Sequence, residues 1–271
     1  MIRANFHTHT TFSDGKNTPE EMVQAALSLD MSAIGFSDHS PLVGFEGTSG
    51  ILPQEEAAYR QEILRLKDTY ADQIEIYLGI EMDSFSDPTP YDYDYRIGSI
   101  HGIYADGQYR AVDYNEQWML HTVNHFFGGD HYAYAKSYYR TVAETADRHD
   151  PTFFGHIDLV SKYNEGNKHF DESDKRYINA ALEAVEALLP TGKPFEINTG
   201  AISRGVRTTP YPNPLILKAL CQMGGKIILS GDSHAASGLL CAYEQATELA
   251  KSCGYTTAYV LAPEGFREMK L

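Results

Sequence analysis

Cysteine is scarce in this chain, and cationic side chains are outnumbered. The 271 residues include three cysteines, and 22 lysines and arginines stand against 37 aspartates and glutamates. Cys221, Cys241 and Cys253 are odd in number and lack the close spacing of a thiolate metal site. This pattern disfavours a disulfide framework and predicts a reduced, cytoplasmic protein.

Long apolar runs are also missing. No stretch approaches the ~20 apolar residues that a membrane-spanning helix needs, so no membrane partner is expected. A histidine with a candidate functional role already stands at position 7. This leaves no room before it for a signal peptide, in keeping with a cytoplasmic location.

The deficit of positive charge limits the classes of ligand. The formal net charge is −15, whereas nucleic-acid binding needs a basic surface that replaces counterions. A nucleic-acid partner is therefore not expected. A small anionic substrate is still allowed, because bound divalent cations are not counted in the sequence charge and would lie where such a substrate binds.

Short apolar runs alternate with helical stretches along the chain, which favours a parallel α/β sheet or barrel. Strands are predicted at residues 2–6, 33–36, 75–80, 97–100, 153–154, 195–197, 226–229 and 257–261. A T-x-x-E capping box at Thr18 predicts the start of the first helix. Further helices are predicted at residues 53–70, 132–148, 172–189, 214–223 and 235–253. Residues 102–130 are interpreted as a long connection with weak periodicity, and such connections are usually binding loops or lids, or else disordered. No linker divides the chain, so residues 1–271 are interpreted as a single barrel domain.

Histidines and acids recur where predicted strands end. Six of the eleven histidines lie there, namely His7, His9, His39, His101, His156 and His234. Acidic residues occupy the same kind of position, namely Asp14, Asp38, Glu81 and Asp232. In a (β/α) barrel these strand ends meet at one rim, where active sites are found. Imidazole and carboxylate groups without thiolate suit Mn, Fe, Co or Zn.

The spacing of two of these pairs supports a shared ligand role. His7 and His9, like Asp232 and His234, are two residues apart, and such side chains point to the same face of a strand. Each feature alone is weak, since an isolated strand-end histidine is more often a hydrogen-bonded core or surface residue. The prediction of a metal site depends on the whole set falling on one rim.

The motifs H-T-H-T-T-F-S-D-G, F-S-D-H-S, G-I-E, G-S-I-H, G-H-I-D and S-G-D-S-H occur in this order between residues 7 and 234. This set resembles the polymerase and histidinol phosphatase (PHP) superfamily. Three further segments resemble its histidinol-phosphatase branch: F-G-G-D at 127–130, G-H-I-D-L-V at 155–160 and N-T-G at 198–200.

The resemblance implies a distorted, seven-stranded (β/α) TIM-like barrel, with residues 257–261 outside it, and three divalent ions such as Mn, Fe or Zn. The ligands it implies form three sets: His7, His9, Glu81 and Asp232; Glu81, His101 and His156; and Asp14, His39 and His234. Some members of the family have histidine where this chain has Asp14, which would change the metal preference of the third set.

The resemblance also implies a reaction, the hydrolysis of L-histidinol phosphate to L-histidinol and phosphate in histidine biosynthesis. The hypothesis is attack on phosphorus by a hydroxide that bridges two ions. Asp158, His234 or a metal-bound water are the candidates that protonate the leaving alkoxide, and the sequence does not choose between them.

Candidate substrate contacts follow the sixth predicted strand. Arg204 and Arg207 are expected to bind phosphate, with Arg204 preferred because it follows N-T-G closely; the alternative is that both are solvated loop arginines. Asp130 and Asp158 are the acids expected to bind the cationic end of the substrate.

Two other functions stay open at this stage. The same site could hydrolyse another small phosphate ester or a nucleotide. A non-enzymatic metal-binding scaffold is the second alternative, but such a scaffold is expected to lose ligands, and every position in the three sets is filled. The sequence leaves the oligomeric state open.

Overall fold

A curled, mostly parallel β-sheet organises the computed structural model, which describes residues 2–42 and 49–271. Within these ranges the main sheet contains nine strands in the order β1-β2-β3-β4-β7-β8-β9-β10-β11. Their bounds are β1 Ala4–Asn5, β2 Ala33–Phe36, β3 Glu75–Asp83, β4 Tyr95–Ser99, β7 Phe153–Phe154, β8 Phe195–Asn198, β9 Ile227–Ser230, β10 Thr257–Ala262 and β11 Gly265–Lys270. A separate antiparallel hairpin consists of β5 Gly102–Ala105 and β6 Gln108–Ala111.

Helices separate most of the successive parallel strands. They are α1 Pro19–Ser28, α2 Glu56–Thr69, α3 Glu116–Phe127, α4 His131–Ala143, α5 Thr145–His149, α6 Lys175–Leu188, α7 Gly200–Ser203, α8 Pro214–Gln222 and α9 Tyr243–Ser252. The predicted capping box is confirmed, because the Glu21 backbone N–H donates to Thr18 Oγ1 at 3.3 Å and the Thr18 N–H donates to the Glu21 carboxylate at 2.9 Å. No helix in the described part of the chain is long and apolar enough to cross a membrane.

The structure differs from the prediction in three segments. Residues 102–130, interpreted as a long connection, contain the β5–β6 hairpin and helix α3. The helix predicted at 132–148 is divided into α4 and α5, and the one predicted at 235–253 begins only at Tyr243. Element types were predicted better than their bounds.

The predicted count of seven strands is wrong for this sheet. Strand β10 pairs in parallel with β9 through Tyr259 and Ile228, and β11 then pairs antiparallel with β10. The sequence placed residues 257–261 outside the barrel, but they continue the sheet. The α/β, TIM-like architecture itself is confirmed.

The end of β9 diverges from β10 and approaches β1. A parallel bridge joins Thr8 and Ser233, with the His9 N–H donating to the Ser233 carbonyl at 2.9 Å and the Ser233 N–H donating to the His7 carbonyl at 3.0 Å. The sheet therefore curls far enough to bring the carboxyl ends of its first and seventh parallel strands together.

Tyr95 fills the interior of the curled sheet. Its ring stacks on Phe153 at 6.0 Å and meets Phe6 edge-on at 6.2 Å. Its hydroxyl lies 2.8 Å from the Phe6 carbonyl oxygen and 3.1 Å from that of Phe36. A Cβ atom at Gly79 would lie 2.2 Å from this ring, so the packing of Tyr95 requires glycine at that position.

Gly79→Ala is expected to lower the free energy of unfolding by about 1–3 kcal/mol, because the added methyl group overpacks a rigid core. Urea denaturation measures the change. In a Tyr95→Ala background the same substitution should lower the free energy of unfolding much less, because the ring that the added methyl group would contact is absent. Equal costs in the two backgrounds would contradict this account of the packing.

Candidate metal centre

A cavity of about 830 Å³ opens at the carboxyl ends of the parallel strands. Seven of the nine predicted ligands line it, namely Asp14, His39, Glu81, His101, His156, Asp232 and His234. The other two, His7 and His9, are fully buried directly beneath. The structure thus brings all nine side chains together, as expected for residues at strand ends that share one rim.

Glu81, at the centre of this group, is 1% exposed. Its two carboxylate oxygens face five imidazoles: Oε1 lies 3.1 Å from His7, 3.2 Å from His156 and 3.5 Å from His101, while Oε2 lies 2.8 Å from His39 and 3.6 Å from His9. Burial alone would raise the pKa of Glu81. The charges of the surrounding imidazoles outweigh burial and hold its pKa well below the usual value.

Asp14 forms a second group at the outer side of the cavity. Its Oδ1 lies 3.2 Å from His234 Nε2, 3.7 Å from His39 Nε2 and 3.8 Å from His9 Nδ1. Burial would raise the pKa of Asp14, but the hydrogen bond to His234 and the charges of His39 and His9 lower it. The carboxylate is therefore ionised at neutral pH.

Asp232 completes the cluster from the loop after β9. Its Oδ1 lies 3.3 Å from His9 Nε2 and 3.8 Å from His7 Nε2. The residue has a φ of +45°, a left-handed conformation that aspartate adopts more readily than most residues with a side chain. A side chain at Gly200 would clash, since its Cβ would lie 2.7 Å from an Asp232 carboxylate oxygen.

The donor atoms fit divalent metal ions. Within residues 2–42 and 49–271, no hydrogen bond of good geometry satisfies five buried atoms: His7 Nε2, both ring nitrogens of His9 and both carboxylate oxygens of Glu81. Unsatisfied buried polar atoms are costly, and a bound cation would satisfy them. Burial and the neighbouring His234 and His39 lower the pKa of His9 to about 3, so its imidazole is neutral, as a ligand must be.

The potential ligands form overlapping groups rather than three separate ones. Those groups are His9, Asp14, His39 and His234; His7, His156 and Asp232; His7, His9 and Glu81; and His39, Glu81 and His101. The predicted third set falls within the first of these. The assignment of every ligand to one of three ions stays a prediction.

Two carboxylates that the sequence did not single out orient the ligands. Glu196 accepts a hydrogen bond from His7 Nδ1 at 2.6 Å, and Asp83 Oδ2 lies 3.3 Å from His101 Nδ1. Such partners of metal-binding imidazoles fix the ring orientation. The sequence did contain an indication of this role for Glu196. It lies between Phe195 and Ile197 in a short apolar strand, where a buried charged side chain needs a partner.

Arg204 is at the cavity, as predicted. Its guanidinium donates to the Asp232 carbonyl at 2.9 Å, to the Asp232 carboxylate at 3.0 Å and to His234 Nδ1 at 2.8 Å. The side chain is 27% exposed, so part of it faces solvent within the cavity. A small anion that enters the cavity can therefore reach it.

Arg207 does not reach the cavity, contrary to prediction. It is buried and donates to Ser161 Oγ at 2.9 Å and to the Glu172 carboxylate at 3.4 Å. These contacts connect the loop after α7 to the segment that follows β7. The position of Arg207 corresponds to structural support and not to phosphate binding.

Asp158 and Asp130 are also away from the cavity. Asp158 is fully buried and accepts hydrogen bonds from Tyr139 at 2.6 Å, from the Asn213 backbone at 2.8 Å and from Tyr177. Burial and the nearby charge of Glu172 raise its pKa to about 6.

Asp130 is the N-cap of α4 and accepts hydrogen bonds from the backbone of Tyr132 at 2.9 Å and Ala133 at 3.1 Å. Its carboxylate therefore stabilises a helix end. Neither Asp130 nor Asp158 is placed to contact a substrate in this cavity.

The cavity wall opposite the predicted ligands is formed mainly by residues 102–130, which the sequence predicted to be a long connection. Arg110, Asp113 and Trp118 line it, together with Lys162. Lys162 donates to the Asp113 carboxylate at 3.1 Å, and the Arg110 guanidinium lies 5.3 Å from the Trp118 ring centre. In the sequence, only the length of this connection indicated that it forms part of a site, since long connections in compact domains are often binding loops.

Comparisons with known proteins agree with this geometry. The PHP domain family matches residues 5–200. The histidinol-phosphatase of Lactococcus lactis is 28% identical over 270 residues, covering 94% of this chain and 93% of that protein. The histidinol-phosphatase of Bacillus subtilis is 25% identical and covers 90% of this chain and 98% of that protein.

Solved structures share the fold. A Listeria monocytogenes protein described as a putative histidinol phosphatase superposes with a TM-score of 0.78 at 19% identity, over 89% of this chain and 99% of that one. The Lactococcus lactis enzyme, solved with Zn, L-histidinol and phosphate, superposes with a TM-score of 0.73 at 21% identity, over 98% of this chain and 99% of that one. The Lactococcus lactis and Bacillus subtilis histidinol-phosphatases match this chain over nearly its whole length, and the chain belongs to the PHP domain family.

Proposed function

We propose that this chain is a metal-dependent phosphomonoesterase that hydrolyses L-histidinol phosphate to L-histidinol and phosphate. The observation that carries the proposal is the convergence of nine imidazole and carboxylate ligands on one cavity, in a chain similar to histidinol-phosphatases over nearly its whole length. Another small phosphate ester is the alternative substrate.

Three divalent ions, Mn, Fe or Zn, are proposed to bind in the three ligand sets given by the sequence. The position of Glu81 supports this arrangement, because its two oxygens face imidazoles that belong to all three sets. Divalent ions held there would lower the pKa of a bound water toward ~7 and offset the charge of a phosphate dianion.

The chain's own residues orient the ester. Arg204 lies beside the Asp232 carboxylate with 27% of its side chain exposed, and its remaining guanidinium N–H groups are proposed to donate to phosphate oxygens. Of the two side chains considered as proton donors to the leaving alkoxide, only His234 lies on the cavity wall. Asp158 is therefore not retained in that role.

The opposite wall is proposed to bind the amino alcohol and its imidazole. The Asp113 carboxylate, with 26% of its side chain exposed, is paired with Lys162, and the charges of Lys162 and His101 outweigh burial to lower its pKa to about 2. Asp113 and Trp118 line the same cavity, so an ionised acid is available to the amino group of the substrate and an aromatic ring to its imidazole. The cavity volume of about 830 Å³ suits a small-molecule site.

Phosphate release from L-histidinol phosphate tests the proposed substrate. After reconstitution with Mn, kcat/KM is expected to exceed that for p-nitrophenyl phosphate and a simple sugar phosphate by ~100-fold or more, equivalent to ~2.7 kcal/mol of discrimination. Equal, slow hydrolysis of all three esters would keep the metal chemistry and refute the substrate. A lack of hydrolysis despite confirmed metal loading would refute the phosphomonoesterase itself.

His9→Ala and Glu81→Ala are expected to lose bound metal and hydrolytic activity together, because each removes a buried ligand from the centre of the cluster. Mass spectrometry measures the bound metal, and a phosphate-release assay measures the hydrolytic activity. His121→Ala, an exposed histidine on α3, is the matched control and should keep both. Full activity with metal retained in either ligand variant would refute the assignment.

Arg204→Ala should reduce kcat/KM for the ester by ~10-fold or more while the metal content is unchanged, because a charged hydrogen bond to phosphate is worth about 1.5–3 kcal/mol. Steady-state kinetics and metal analysis check this. Arg207→Ala is the comparison variant. Removal of the Arg207 side chain should lower the free energy of unfolding, because its buried ion pairs are lost. If the two variants have the same kinetics, Arg204 does not bind substrate.

A further inference from the structure

Strand β8 supplies none of the nine predicted ligands, yet two of its side chains contact ligands from three other segments. Glu196 and Asn198 are both fully buried. They are two residues apart in a strand, so they point to the same face. That face carries the hydrogen bonds to His7, to the His156 backbone and to Asp232.

The Glu196 carboxylate accepts three hydrogen bonds. Oε1 receives one from His7 Nδ1 at 2.6 Å. Oε2 receives one from the His156 backbone N–H at 2.7 Å and one from Asn198 Nδ2 at 2.8 Å. The same Asn198 nitrogen lies 3.3 Å from Asp232 Oδ2. One buried carboxylate and one amide therefore connect segments that follow β1, β7 and β9.

We propose that Glu196 is a positioning residue that, with Asn198, fixes His7, His156 and Asp232 in metal-binding geometry. Because His7 Nδ1 donates to Glu196, the proton is kept on that nitrogen and Nε2 is left as the ligand atom. His7 Nε2 faces Glu81 at 3.1 Å and Asp232 at 3.8 Å. The inference rests on the metal role of these ligands in the proposed function.

Glutamine cannot reproduce this arrangement, although it has the same shape. All three partners of Glu196 are donors, and a carboxylate is an acceptor at both oxygens. An amide has one oxygen and one NH₂ group. If the NH₂ faces the His156 backbone N–H and the Asn198 amide, those hydrogen bonds are lost; if it faces His7, it can donate only to an unprotonated Nδ1, which moves the ring proton to Nε2. Glu196→Gln therefore breaks the link to the His156 segment or reverses the His7 tautomer, while the side-chain volume is kept.

Metal binding by the apoprotein tests the role of Glu196. Glu196→Gln should bind Mn²⁺ ~10–100-fold more weakly than the wild type at the site that includes His7 or His156. A loss of this size is typical when the hydrogen-bond partner of a metal ligand is removed. Glu56→Gln is the matched control, since Glu56 is also a buried, hydrogen-bonded carboxylate, with Tyr93 as a partner at 2.7 Å. It should bind Mn²⁺ as the wild type does.

Two further readouts separate positioning from a general loss of structure. In the zinc-loaded wild type, ¹⁵N NMR should show His7 protonated at Nδ1, and this signature should be lost or mixed in Glu196→Gln. Hydrolysis by the variant should also recover at saturating Mn²⁺, because Glu196 is not placed to touch the substrate. His9→Ala should show no such recovery.

The outcomes distinguish this inference from the proposed function. Wild-type affinity and an unchanged His7 signature in Glu196→Gln would overturn the inference, as would equal losses in the Glu56→Gln control. If Glu196→Gln does not fold, Asn198→Ser is used, which should still weaken Mn²⁺ binding; unchanged binding would overturn the inference too. If His9→Ala keeps all of its metal, the ligand assignment of the proposed function fails instead.

Discussion

The functional end of this fold depends on an ionised carboxylate that is almost completely buried at the base of the cavity. Glu81 is 1% exposed, and burial of a lone carboxylate would favour its neutral form. Imidazoles from β1, β2, β4 and β7 surround it and reverse that effect. Removal of one partner from such a cluster leaves buried polar groups uncompensated. The curvature of the sheet is thus tied to the chemistry, because only a curled sheet brings these strand ends together.

The layer beneath the cluster makes the strand ends rigid. Tyr95 fills the interior and places its hydroxyl beside the carbonyl groups of Phe6 and Phe36, directly before the ligand-bearing segments of β1 and β2. The bridge between Thr8 and Ser233 joins β1 to β9 at the same level. Ligands on strand ends supported by packed side chains are held more precisely than ligands on loops.

The predicted metal ligands and the opposite cavity wall come from different parts of the molecule. The predicted metal ligands extend from the main sheet, whereas the opposite cavity wall comes from the hairpin β5–β6, helix α3 and the turn that contains Lys162. Such loops vary in sequence more readily than the strands that carry them. A shared metal centre can therefore serve different phosphate esters when this wall changes.

The sequence by itself determined the alternation of strands and helices, the capping box at Thr18 and the nine residues that meet at the cavity. These features are local, since the direction of a side chain and the end of a strand follow from the periodicity of a short segment. Tertiary structure decided the rest. Arg204 and Arg207 occupy the same loop and look alike in sequence, but only one faces the cavity, while the other reaches a buried glutamate. The hydrogen bonds of Glu196 and the continuation of the sheet by β10 and β11 were likewise decided there, because each depends on partners far away in the chain, which a local pattern does not specify.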